Sequence, residues 1–159
     1  MKHRRARGFT LIEIVVAAAI VGLLATMVLP LAERAALRER ESALRTSLRD
    51  LRTAIDAYKA AVDAGRIRKR ADESGYPASL DVLVGGVADP AHPDGPRIRF
   101  LRRIPRDPFF DDPKVPAAQT WGLRSYASPP DAPEAGDDVF DVHSLSDRVG
   151  LNGIPYSEW

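Results

Sequence analysis

Residues 9–32 read FTLIEIVVAAAIVGLLATMVLPLA, an apolar run of twenty-four residues whose single charge is Glu13. About 20 apolar residues in a helix bridge the hydrocarbon core of a bilayer, so the run predicts a membrane-spanning helix. Immediately before it, Lys2, Arg4, Arg5 and Arg7 stand without an acidic partner. Positive charge on that flank holds residues 1–8 on the cytoplasmic side and sends the rest of the chain outward. An ordinary cleaved signal peptide needs small residues at the end of its apolar stretch, where Pro30-Leu31-Ala32 offers proline instead.

Glu13 is the anomaly in the run. A carboxylate inside an apolar span costs about 2.5–3.5 kcal/mol on insertion scales and is rarely left without a partner. The run holds no Lys, Arg or His. Either Glu13 reaches the headgroup interface four residues from the start of the run, or a cut between Gly8 and Phe9 frees an α-amino group to meet it. Spacing leaves both open.

The charge layout outside the run is polarised. Residues 33–106 hold sixteen basic and eleven acidic residues, while 107–159 hold three and ten, so the formal net charge of +1 conceals a basic middle and an acidic end. The chain has no cysteine, which excludes a disulfide scaffold, a thiol nucleophile, cysteine-ligated zinc and iron–sulfur chemistry.

Beyond the apolar run, Leu37, Leu44, Leu48, Leu51, Ile55, Tyr58 and Val62 recur at steps of 7, 4, 3, 4, 3 and 4, one stripe of an α-helix. Arg52 with Asp56 and Lys59 with Asp63 are opposite charges at i,i+4, each pair contributing about 0.2–0.5 kcal/mol on an exposed face. Gly65 is the expected stop. A helix from Phe9 to Ala64, bent at Pro30, would extend about 84 Å, too long for one small domain to cover. Twelve of the thirteen prolines fall at Pro77 or later, so long helices end there. Ser79 to Val84 predicts a short capped helix and Gly85 to Pro96 a loop. Trp121 to Tyr126 and Val139 to Leu145 alternate as short strands. The expected fold is α+β: a long N-terminal helix, apolar then amphipathic, packed against a small antiparallel sheet of two or three strands. Its parts would be a cytoplasmic leader (1–8), an apolar half-helix (9–32), an amphipathic half-helix (33–65) and a small outward-facing domain with loops and strands (66–159).

Catalytic constellations are missing from the sequence. His3, His92 and His143 show no helical metal-ligand spacing, and no G-x-S-x-G elbow, P-loop or G-x-G-x-x-G occurs. The basic cluster Arg66 to Arg70 carries no interleaved aromatic residue on which bases would stack, so it predicts a solvated turn and no nucleic-acid partner. An enzyme is not expected.

Arg7-Gly8 followed by Phe9-Thr10-Leu11-Ile12-Glu13-Ile14-Val15-Val16 resembles the class III signal of type IV pilins and type II secretion pseudopilins. The resemblance implies that a prepilin peptidase cuts between Gly8 and Phe9 and methylates the new Phe9 amine. It also implies that Glu13 pairs with the N-terminus of an adjacent subunit during assembly, and that Pro30 kinks the helix. A weaker likeness covers the second half. Gly75-Tyr76-Pro77, Leu101-Arg102-Arg103-Ile104-Pro105-Arg106-Asp107-Pro108-Phe109, Phe140-Asp141-Val142-His143-Ser144 and Trp159 are similar to the major pseudopilin of type II secretion. That likeness implies a single-pass inner-membrane protein with a periplasmic domain, assembled into a helical homo-oligomeric filament with other pseudopilins, membrane lipid and inner-membrane secretion components as partners. It further implies a calcium ion in the loop after the last strand, where Asp147, Asn152 and Glu158 offer side-chain oxygens; calcium takes six to eight such ligands. The loop is poorer in acids than the family pattern, and Arg148 adds an opposing charge. A type IV pilin or minor pseudopilin is the nearest alternative. A monomeric membrane-anchored periplasmic binding or enzymatic domain is the alternative of another class.

Overall fold

The computed structural model describes residues 9–159, and for residues 27–30 the backbone alone. The leader, with Gly8, and the side chain of Pro30 lie outside the described residues. One helix, α1 (Leu11–Asp63), runs unbroken through both the apolar and the amphipathic stretches. It was expected to begin at Phe9 and end at Ala64; Phe9 and Thr10 precede the first turn and Ala64 lies beyond the last. Its end is set by Gly65 at φ 71°, a left-handed conformation that glycine enters without a Cβ penalty. Gly65 N–H donates to the Val62 carbonyl and Arg66 N–H to the Ala61 carbonyl, both at 2.9 Å, which satisfies two carbonyls that the helix end leaves unpaired.

Two compact units divide the described chain, one ending at Glu39 and one spanning Arg40–Trp159. In the first, the apolar side chains from Phe9 to Leu24, and Leu31, stand exposed. The helix is long and apolar enough there to cross a membrane.

In the second unit, Leu44, Leu48, Leu51, Ile55 and Val62 of the stripe are buried and Tyr58 is half-buried. They lie on one face of α1 because their spacing follows 3.6 residues per turn. The rest of this unit is short elements joined by proline-rich loops. Helix α2 (Leu80–Gly85) buries Leu80 and Leu83. Strands β1 (Trp121–Arg124) and β2 (Asp141–Ser144) pair antiparallel in the register Trp121 with Ser144 through Arg124 with Asp141. Among the described residues the sheet has two strands. The stretch around Ile98 contributes only an isolated bridge to Val87. Both strands are shorter than their alternation predicts, because Ser125 N–H turns to the Glu134 carbonyl and Val139 N–H to the Pro77 carbonyl instead of extending the ladder.

Two buried regions complete the packing. Val139, Val142, Trp121, Phe109 and Tyr156 are buried with the helix stripe. Ala61, Val62 and Ile67 form a cluster against which Tyr58, Val87 and Phe100 pack. The expected Arg52–Asp56 pair is replaced: Arg52 Nε lies 2.8 Å from Asp141 Oδ1. Lys59 and Asp63 do pair, at 2.5 Å. That hydrogen bond raises the Lys59 ammonium above its ordinary value, against a smaller opposing effect of burial.

Candidate functional site

The first turn of α1 is built by Thr10. Its Oγ1 accepts a hydrogen bond from Glu13 N–H at 3.3 Å, while its carbonyl accepts from Glu13 N–H at 3.1 Å and from Ile14 N–H at 3.3 Å. This is half of a Thr-x-x-Glu capping box, so the helix start is written into the same four residues that carry the charge. Glu13 thereby occupies the first turn, where the partial positive charge of the helix N-terminus favours a carboxylate. Among the described residues it enters no ion pair, and it is exposed. Phe9, 79% exposed, precedes it by four residues.

The second unit carries its polar chemistry inside. Asp107 is 1% exposed; its Oδ1 accepts from Phe109 N–H at 2.7 Å and its Oδ2 from the Ser144 hydroxyl at 2.6 Å. Asp107 N–H donates to Thr120 Oγ1 at 3.2 Å, and Thr120 in turn donates to the Ala117 carbonyl. Trp121 Nε1 donates to the Pro105 carbonyl at 2.9 Å. The basic-proline-basic-aspartate-proline-aromatic link is therefore a folding device, tying the segment before β1 to the end of β2. Tyr76 of the Gly75-Tyr76-Pro77 turn stacks on Tyr126 at 5.6 Å and meets Phe140 edge-on at 5.0 Å. Together with Tyr58, Glu73, Asp137 and Asp138 these tyrosines line an open cleft of about 770 Å³.

A long apolar helix with one acid in its first turn, packed by its second half on a small antiparallel sheet, is the architecture a pilin-like subunit needs. The family model for the prokaryotic N-terminal methylation motif matches residues 3–29. Over 159 aligned residues the chain is 30% identical to the type II secretion system core protein G of Dickeya chrysanthemi, covering 95% of this chain and 97% of that protein. The chain belongs to the type II secretion pseudopilin family. No solved structure matches it. A pseudopilin is a structural subunit, which is why the half-buried His143, the buried Ser144 and their neighbours are arranged as strand and core contacts and not as a nucleophile and base.

Of the three side chains expected to hold calcium in this pseudopilin, Asn152 and Glu158 line one cleft and Asp147 is not among its lining residues. Asn152 Oδ1 accepts from Ile154 N–H at 3.1 Å, within its own turn. Asn152 and Glu158 face a cleft that Arg45, Arg49, Arg52 and Asp56 also line, so three guanidinium groups stand beside two carboxylates where a divalent ion would need oxygens. Asp147 is exposed. Arg148, the charge expected to oppose a cation, lies over the Phe109 ring at 5.4 Å.

Sequence reasoning missed Glu41. It is 5% exposed, and its Oε1 accepts from Leu151 N–H at 2.6 Å and from the Tyr156 hydroxyl at 3.1 Å. The signal was present: the step of seven between Leu37 and Leu44 skips one stripe position, and Glu41 fills it. A carboxylate on the apolar face of a helix predicts a buried partner elsewhere in the fold. Arg52 was likewise assigned to a local pair, although it reaches across to Asp141 Oδ1, the Val142 carbonyl at 3.0 Å and the Trp159 main-chain oxygen at 2.7 Å.

Proposed function

We propose that this pseudopilin is made as a precursor in the inner membrane, cut between Gly8 and Phe9 by a prepilin peptidase, methylated at the new Phe9 amine and polymerised into a periplasmic pseudopilus that drives protein export. The observation that carries this reading is Glu13, the single charge of the apolar run, in the first turn of α1 and four residues from Phe9. The cationic flank of Lys2, Arg4, Arg5 and Arg7 orients the leader toward the cytoplasm and the domain toward the periplasm. Once cut, the α-amino group of one subunit meets the Glu13 carboxylate of another. Pairing offsets the roughly 2.5–3.5 kcal/mol that a lone carboxylate costs in the bilayer, and that offset is present only when subunits are aligned. Lipid covers the exposed apolar side chains of a single subunit, and sister helices cover them in the fibre. The subunit itself performs no bond chemistry; force comes from adding subunits, powered by an ATPase elsewhere in the machine.

Mass spectrometry of the mature chain from a host with prepilin peptidase tests the first step. A chain beginning at N-methylated Phe9 is expected, and one beginning at Met1 would refute the processing. Crosslinking of Glu13→Leu, through cysteines introduced at matched positions in it and in the parent, tests the second. Multimers should fall at least several-fold against the parent; equal yields would remove Glu13 from assembly.

A further inference from the structure

We infer that the loop after β2 is closed by the Glu41 carboxylate of α1 and needs no divalent cation. The loop from Asp147 to Trp159 folds by spending its oxygens on its own N–H groups. Arg148 carbonyl accepts from Tyr156 N–H, Gly150 carbonyl from Gly153 N–H, and Ile154 carbonyl from both Gly150 N–H and Trp159 Nε1. Asn152 Oδ1 is taken by Ile154 N–H. A calcium ion gathers a loop by drawing several oxygens toward one positive centre, and here the Arg148, Gly150 and Ile154 carbonyls and Asn152 Oδ1 already face donors.

The organising charge has the opposite sign. Glu41 Oε1 draws two donors from within the loop, Leu151 N–H at 2.6 Å and Tyr156 O–H at 3.1 Å. Tyr156 is fully buried, with its ring stacked on Phe109 at 4.1 Å and edge-on to Trp159 at 5.0 Å. Arg45, one helical turn after Glu41, lies over the Trp159 ring at 4.3 Å, and Arg52 holds the Trp159 main-chain oxygen. Three charged side chains of one helix thus hold the loop at Leu151, Tyr156 and Trp159. A buried carboxylate is tolerated only when hydrogen-bonded, and the two loop donors fill that requirement. A Cβ at Gly150 would come within 2.5 Å of the Trp159 ring and 2.8 Å of Asn152 Oδ1, which leaves the turn little room to open around an ion. The inference stands apart from the proposed assembly, since every contact lies within one subunit.

The test is hydrogen exchange read residue by residue, with thermal unfolding, on the full chain in detergent micelles. In the parent protein, millimolar calcium and excess EGTA should give the same exchange rate at Leu151 N–H and the same Tm within about a degree. A calcium-dependent slowing at Leu151, or a Tm raised by several degrees, would overturn the inference. Glu41→Gln, which keeps the shape but weakens the acceptor, should speed exchange at Leu151 about tenfold while leaving Val142 in β2 unchanged, and calcium should not reverse it. Unchanged protection at Leu151, or rescue by calcium, would also sink it. Should Glu41→Gln fail to fold, Tyr156→Phe removes one donor at almost constant volume. It should lower Tm by about 3–8 °C in either calcium or EGTA; a loss that calcium repairs would count against the inference.

Discussion

The Ser144 hydroxyl donates to Asp107 Oδ2 at 2.6 Å, joining two buried residues 37 positions apart. Because Phe109 N–H fills the other carboxylate oxygen, each partner of Asp107 answers a separate requirement. Ser144→Ala leaves the buried Oδ2 without its hydroxyl donor, and stability should fall by about 1–3 kcal/mol in urea unfolding. Asp107→Asn should cost a similar amount, because the amide turns an NH2 toward a donor that needs an acceptor. Losses under 0.5 kcal/mol for both would mean that water or a rotated hydroxyl satisfies the site.

Arg52 makes three contacts with one guanidinium, to Asp141, Val142 and Trp159. Arg52→Lys retains the charge but not the planar fork, so it should recover less than half of what Arg52→Ala loses. The side chain is 40% exposed, and screening by solvent keeps the expected loss for alanine to about 1–2 kcal/mol. Thermal unfolding at low and high salt checks this. A lysine variant as stable as the parent would reduce the contact to charge alone.

The imidazole of His143 is pushed below its ordinary value chiefly by burial, with Asp141 opposing and Arg52 assisting. The unfolded chain, with an ordinary value near 6.5, therefore binds the proton more readily than the folded one. Stability should rise with pH through that region and be lost as pH falls from about 6.5 toward the depressed folded value. Tm should be lower at pH 5.5 than at pH 7.5, and His143→Gln should flatten the difference. Asp89, lowered mainly by the Ala91 N–H, is a carboxylate whose contribution disappears only at more acidic pH, so it does not blur this window.

Gly86, just past α2, holds φ 74°, and a Cβ there would lie 2.7 Å from the Ile98 carbonyl oxygen. The obstructing atom is backbone and cannot rotate away. Gly86→Ala should therefore destabilise by about 2 kcal/mol or more, combining left-handed strain with the clash. Gly65→Ala meets open space and should cost only the conformational part, about 1 kcal/mol. Equal losses at the two positions would show that the close approach at Ile98 relaxes without cost.

The helix and the family were legible for physical reasons. Apolar stretches with one anomalous charge, and a 3.6-residue stripe, are local signals, and Glu13, Leu44, Leu48 and Ile55 carry them without knowledge of any distant residue. The strands were located but drawn too long, because Ser125 and Val139 are captured by Glu134 and Pro77, partners that alternation does not record. Arg52 was misassigned for the same reason: Asp56 is near in sequence, and Asp141 is near only after folding. Glu41 could have been singled out as a polar residue on an apolar stripe. Its partners could not, since a loop N–H and a tyrosine hydroxyl leave no periodic trace.

The Glu41 and Arg52 contacts span 89 to 115 residues. A polypeptide emerging N-terminus first displays α1 long before Tyr156 and Trp159 arrive, and contacts of such separation are slow to form. Glu41 stays without its loop partners, and Arg52 without its last one, until synthesis has delivered nearly everything up to Trp159. Closure of this seam therefore waits on Tyr156 and Trp159: until both are present, Glu41 lacks its hydroxyl donor and Arg52 the last of its three acceptors.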